Sequence, residues 1–493
     1  MVIAHRSAGV TILAVWVLVA SAFAVQGRKE EAKPELPATP AGQRVQAFLA
    51  ALNSGEASQL ERFFAASIGT EAAKQRPPAD RAARWMEIHR ELGTVTLRKV
   101  ESPSPNSMVV FVQGERGQLA RIGFQFTPAP EHFMSGMSID EADPEDLAAP
   151  PPPMSQSEAL TEIEKTVSAA AAADEFSGVV LVAHEGKPLL LKAWGLASKE
   201  FEVPNRVDTK FNLGSINKIF TRLAITRLIE KSMLSLDEKL GKYLSDYPNA
   251  DARAKVTIRQ LLEMQSGIGD FFGKKFDATP KDAFRHNSDF LPMFADQPLA
   301  FEPGTQRQYS NGSYVVLGEV VSRVSGIDYY SYVRKNIYEP AGMTNTDSYE
   351  ADIPVPNLAA GYTRIWEGMA RETGPRRNNI YSRPARGSAA GGGYSTAEDL
   401  LRFANALASD KLLSPAYTEW IMTGVEPSST RKLPPGPRTR GGLGFAGGAP
   451  GINTLLEMDR ETGYTVIVLG NYDPPAAVNV GKKVRRLLAA IKK

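Results

Sequence analysis

In the stretch FNLGSINKIF, residues 211–220, a serine follows a glycine and a lysine stands three positions further on. Residues three apart on a helix are neighbours. Ser215 and Lys218 therefore share a face if a helix begins here, as the apolar stripe Ile219, Phe220, Leu223 and Leu228 predicts. Ser215 would lie near the helix N-terminus, where unpaired N–H groups and the positive dipole end favour developing negative charge. A serine hydroxyl becomes a useful nucleophile only when a base takes its proton. Lys218 is such a base only when neutral. Moving a lysine from its ordinary pKa of about 10.4 to about 7 needs interactions on the order of 4 to 5 kcal/mol, from burial or nearby cations. The plainer alternative is that Ser215 caps the helix. S-x-x-K is short, and a second copy, Ser429-Thr430-Arg431-Lys432, stands in a Pro/Gly-rich loop.

Order and context separate signal from spelling. Tyr309-Ser310-Asn311 follows FEPGTQRQ and precedes the apolar run YVVLGEVV. A tyrosine hydroxyl can pass a proton between nucleophile and leaving group, and an Asn side chain can meet both a substrate carbonyl and a lysine ammonium. Tyr247-Pro248-Asn249 spells the same pattern elsewhere. The triplet at 309–311 follows Ser215 by 94 residues and, with its apolar helical run, precedes a Gly-rich strand entry, GLGFAGGAPG at 442–451.

With S-x-x-K and Y-x-N in that order, residues 160–475 resemble the serine β-lactamase and penicillin-binding-protein superfamily, nearest its class C and esterase-like branch. The flanking phrases LLEMQSGIGDF (261–271), FEPGTQRQYSN (301–311), YEPAGMTNT (338–346) and GSAAGGGYSTAEDLLRFANAL (387–407) agree. The resemblance implies an α+β fold of β-lactamase/transpeptidase type, an antiparallel sheet flanked by helices plus a helical subdomain, with the site in the cleft between. It also implies acyl-enzyme chemistry: Ser215 attacks, Lys218 and Tyr309 move protons, and Asn311 orients the substrate. The backbone N–H groups of Ser215 and Gly448 then hold the oxyanion. The family's third motif is Lys-Thr-Gly or His-x-Gly, but Phe445-Ala446-Gly447 stands there. Phe445 is expected at the substrate, and the missing cation implies weaker acylation, a less anionic substrate, or a cation from Arg438 or Arg440. Met264 occupies a position where relatives often carry histidine.

Other chemistries lack support. Gly442-Leu443-Gly444-Phe445-Ala446-Gly447 spells GxGxxG without the strand–turn–helix context of a dinucleotide site, so no cofactor is expected. The five histidines are scattered and no spacing suggests a metal. The expected activity is hydrolysis of an ester, an amide or a D-amino-acid peptide, or weak β-lactamase activity, on a small-molecule or peptide substrate, with cell-wall fragments among the candidates. The alternative is a catalytically degenerate relative of the penicillin-binding proteins that binds a ligand or serves as a scaffold.

The elements that must position these residues follow from periodicity. GVVLVAHEGKPLLLKAWG (178–195) predicts a hairpin about Glu185-Gly186. INTLLEMD and YTVIVLGNY flank the turn at 460–463, and a last helix runs to the C-terminus. Strands at both ends of residues 157–493, with helices between, predict one sheet closed by the two ends of this domain. Upstream, the Pro-rich linker 143–156 separates it from a small α+β domain at 41–142. There Val45, Phe48, Leu49 and Leu52 mark a helix, Leu60, Phe63 and Phe64 a second, and 94–100, 108–113 and 120–126 read as strands. Helices before a small sheet resemble the ketosteroid-isomerase-like cone fold. No paired acids or histidines announce chemistry in it, which favours an interaction module.

Residues 25–40 form a polar linker. The run AGVTILAVWVLVASAFA (8–24), after Arg6 and ending Ala22-Phe23-Ala24, has the pattern of a signal peptide over 1–24. Export to the periplasm or outside the cell is therefore expected, with a membrane anchor only if the leader stays uncleaved. The 493 residues carry a net charge of +2, with no dominating basic block, which argues against a nucleic-acid partner. The densest basic run, KKVRR at 482–486, fits the last turns of a helix. The absence of cysteine excludes disulfides and thiolate nucleophiles.

Overall fold

In a computed structural model the chain is described at residues 34–69, 73, 76–129, 131–365, 374–427, 438 and 441–492. The leader at 1–24, Arg440 and the second S-x-x-K at 429–432 lie outside these residues. Two compact units divide at Ala149/Pro150, where the proline run begins.

The first unit has helices α1 (Pro40–Asn53), α2 (Ala57–Ser67) and α3 (Pro78–Leu92). They precede strands β1 (Thr96–Ser104), β2 (Ser107–Gln113), β3 (Leu119–Phe126) and β4 (Met134–Ala142), which pair antiparallel in chain order. One aromatic cluster joins helices to sheet: Phe48 packs edge-on against Trp85 at 4.8 Å and against Phe124 at 5.5 Å. The sequence reading missed α3 and β4. The first has three buried side chains, Ala82, Trp85 and Ile88, amid charged neighbours. The second alternates weakly because much of it is half-exposed.

The second unit opens with α4 (Gln156–Ala172), whose Ser155 and Glu158 form a reciprocal capping box. Strands β5 (Gly178–His184) and β6 (Lys187–Trp194) form the expected hairpin. Its turn residues take positive φ, 48° at Glu185 and 75° at Gly186, the geometry that suits a two-residue connection. Helix α5 (Lys218–Glu230) carries the first motif, α6 (Asn311–Ser325) follows the second, and α7 (Ala397–Ala408) crosses near the sheet. Three strands, β7 (Gly442–Ala449), β8 (Ile452–Asp459) and β9 (Tyr464–Gly470), then lead to α8 (Ala476–Leu488). The antiparallel sheet runs β7-β8-β9-β5-β6, so the last strands pair with the first as expected. Both faces are covered. Val180, Val182 and Val468 pack under α4 and α8, while Val179, Leu181, Ile467 and Leu469 join the large helical core. Edge strand β7 is left beside the turn that carries Ser215.

Candidate active site

A 3₁₀ turn, Gly214–Asn217, leads directly into α5. Gly214 has φ +51°, a left-handed value that glycine adopts freely. Its neighbourhood is as tight as its backbone, since a Cβ there would stand 3.0 Å from the Gly448 amide nitrogen. Gly447 is tighter still: a Cβ would come within 2.0 Å of the Leu213 carbonyl oxygen. The Thr454 hydroxyl on β8 donates to that same carbonyl at 2.8 Å. These contacts clamp β7 against the turn and bring the Gly448 amide beside Ser215. From the other side, Gly214 O accepts from the Gly392 amide and Leu213 N donates to Gly393 O.

Lys218 is the first residue of α5 and is buried, at 4% exposure. Its Nζ lies 3.1 Å from Ser215 Oγ, 2.7 Å from Asn311 Oδ1 and 2.6 Å from the Ala390 carbonyl oxygen. Burial pushes its pKa down to about 7, against an opposing pull from the Asp270 carboxylate. A neutral amine has two N–H groups and one lone pair. When Lys218 is neutral, its N–H groups can donate to Asn311 and Ala390, which leaves the lone pair for the Ser215 hydroxyl; when it is charged, it donates to all three. Buried lysines are expected to lose their charge in this way.

Tyr309 OH and Ser215 Oγ are hydrogen-bonded at 2.6 Å. The phenol is held above its usual pKa, chiefly by desolvation, with the Ser215 bond acting in the opposite direction. It therefore stays protonated at neutral pH. The Lys218 nitrogen sits 4.8 Å from the centre of the Tyr309 ring. Asn311 is oriented from behind, because Asp270 Oδ2 accepts from its Nδ2 at 2.8 Å and from its backbone N at 2.9 Å.

The structure thus gathers Ser215, Lys218, Tyr309, Asn311 and Gly448. Phe445 is placed differently. It is half-buried and packs against the helical core, so the strand meets the cleft through Ala446 and Gly448. Alternation explains this, since Leu443, Phe445 and Gly447 share one face of β7 and Ala446 and Gly448 the other. Arg438 is not a substitute cation: it is tied to Asp410 at 2.5 Å and to the Pro415 carbonyl. Met264 takes the Ser310 amide on its sulfur at 3.3 Å, beside Tyr309. The decoy at 247–249 is structural, with Tyr247 buried and Asn249 capping a short helix through Ala252 N.

Sequence reasoning missed Asp270, although it lies in the quoted phrase SGIGDF, and missed the Ala390 carbonyl, which has no side-chain signature. The site opens on a cavity of about 410 Å³ whose walls include Phe271, Phe272, Phe290, Tyr349 and Tyr394.

Known proteins are similar to the second unit in sequence and fold. The Beta-lactamase family profile matches residues 163–491. The chain belongs to that family and is an enzyme of its serine-hydrolase kind. A penicillin-binding protein of Bacillus subtilis (strain 168) is 29% identical over 317 residues, 60% of this chain and 68% of its own. Esterase EstB of Burkholderia gladioli is 30% identical over 256 residues, 46% of this chain and 64% of its own. The crystal structure of a penicillin binding protein from Bacillus halodurans superposes with a TM-score of 0.56 at 29% identity, covering 65% of this chain and 99% of that one.

Proposed function

We propose that this protein is an exported serine hydrolase that forms an acyl-enzyme at Ser215 from an ester, an amide or a D-amino-acid peptide. The observation that carries the reading is the desolvated Lys218 amine, 3.1 Å from the Ser215 hydroxyl and with a pKa near 7. Neutral Lys218 takes the Ser215 proton as Oγ bonds to the substrate carbonyl carbon. The Ser215 and Gly448 N–H groups hold the resulting oxyanion. When the intermediate collapses, the leaving group receives a proton from the Lys218 ammonium by way of the Tyr309 hydroxyl. Water then attacks the acyl-enzyme with Lys218 and Tyr309 again acting as base and relay, releasing the acid and restoring Ser215. The relatives named as an esterase and as penicillin-binding proteins support an acyl substrate. Export rests on the leader pattern at 1–24.

The reading as a degenerate binder draws only on the missing third-motif cation. The complete proton network around Ser215 weighs against it. Mass spectrometry after incubation with a fluorophosphonate and with a penicillin tests the proposal. An adduct on Ser215, lost in Ser215→Ala, is expected with the fluorophosphonate. A penicillin adduct in addition would extend the site to β-lactams, and labelling by neither reagent would sink the enzyme reading.

A further inference from the structure

Arg383 is the single ionised side chain among the described residues that line the cleft shared with Ser215. It is half-buried, and its Nη1 donates to the Tyr394 hydroxyl at 2.6 Å. Tyr394 is itself buried and pairs across a short ladder with Asn212, three residues before the nucleophile. The guanidinium is thus anchored to the wall that carries Ser215.

Its electrostatic setting differs from that of its neighbours. Arg386, three residues on, has Glu350 at 3.7 Å. Arg285 holds Glu350 at 2.7 Å and Asp352 at 2.6 Å, and Arg334 holds Asp347 at 2.7 Å. Arg383 meets no carboxylate among the described residues. A guanidinium has five N–H donors in a planar fork, and among the described residues only one is engaged, by the neutral Tyr394 oxygen. A charge beside aromatic walls gains most from an anion that brings its own hydrogen-bond acceptors.

We infer that Arg383 is a specificity residue which reads a carboxylate carried by the substrate, taking over the anion contact that Phe445 at the third motif cannot supply. This rests on the serine-hydrolase reading and deepens it: the favoured substrates are acyl compounds with a free carboxylate near the scissile bond. The aromatic walls take the apolar remainder. The carboxylate can belong to the acyl part or to the leaving group, and two pairs of phenyl esters distinguish these sources. In the first, phenyl hydrogen glutarate is compared with its terminal carboxamide. In the second, 3-carboxyphenyl acetate is compared with 3-carbamoylphenyl acetate.

The readout is the ratio of kcat/KM within a pair, which cancels any loss of folded or active enzyme. The native protein is expected to prefer the carboxylate by about tenfold or more in one pair, expressed mainly in KM, as a charge-assisted contact would give. Arg383→Gln should bring that ratio close to one, and Arg383→Lys should retain part of it. A native ratio near one in both pairs, or a preference that survives Arg383→Gln, overturns the assignment. Fluorophosphonate labelling of Ser215 in the same preparations separates the two levels. Labelling with no carboxylate preference removes Arg383 alone. No labelling and no turnover of any of the four esters removes the hydrolase reading and this inference together.

Discussion

Among individual residues, the balance at Lys218 decides whether Ser215 is a nucleophile or only part of a turn. Burial lowers the amine pKa and Asp270 raises it, and burial prevails. Asn311 lies between the two groups: its side chain accepts from Lys218 and donates to Asp270. A base must be unprotonated to act, so acylation should rise with pH along a limb centred near 7. Asp270→Asn keeps an oxygen that can accept from Asn311 but removes the negative charge, and with it the attraction that favours the ammonium. The midpoint of the rising limb is then expected at lower pH than in the native enzyme. A pH profile of fluorophosphonate labelling rate checks this, and an unmoved or upward-moved midpoint would mean that Asp270 does not act on Lys218 through charge. The four motif residues were legible because each is a chemically distinctive side chain in a short phrase. Asp270 was not, since an aspartate after glycine reads equally as a turn residue. Ala390 contributes only a carbonyl, which any residue would supply.

Among the elements, the important contact is between β7 and the turn before α5. The sequence made the glycines of 442–451 visible but not the reason for each. Gly447 is required because the Leu213 carbonyl and the Thr454 hydroxyl occupy the space where its Cβ would be, at 2.0 and 2.4 Å. Gly447→Ala must therefore move the strand away from the turn, and overpacking of this kind costs on the order of 1 to 3 kcal/mol. The displacement also carries the Gly448 amide away from Ser215, so the variant should lose oxyanion stabilisation as well as stability. A lost oxyanion donor costs about 10²–10³ in kcat. Gly444→Ala is the control, since no atom stands within 4 Å of a Cβ there. Denaturation midpoints and ester turnover of both variants test the argument, and equal behaviour would show that β7 is not clamped as described. The elements that periodicity revealed, such as the β5–β6 hairpin and the closing β8–β9 pair, have long alternating or apolar runs. Those it missed, α3 and β4, show few buried side chains.

For the whole molecule, an active Lys218 has a stability cost that depends on pH. Below about pH 7 the folded and unfolded chains both hold the Lys218 proton, and the folded state bears the full desolvation penalty. Between about pH 7 and the ordinary lysine value the folded chain has lost that proton while the unfolded chain keeps it. The unfolded state then binds more protons, so this group makes folding more favourable as pH rises, by up to ~1.36 kcal/mol per unit. Lys218→Met removes the titration while filling much of the same volume. It also leaves Asn311 Oδ1 and the Ala390 carbonyl without their donor, so its absolute stability depends on opposing contributions. The change with pH does not, because those losses are the same at every pH. Between pH 7 and pH 9 the difference in unfolding free energy between the two proteins should therefore move towards the native protein by up to ~2.7 kcal/mol. Urea denaturation of the full chain at the two pH values, following the transition of the second unit, measures it. A difference that stays constant would show that Lys218 keeps its charge in the folded protein, and Ser215 would then have no base.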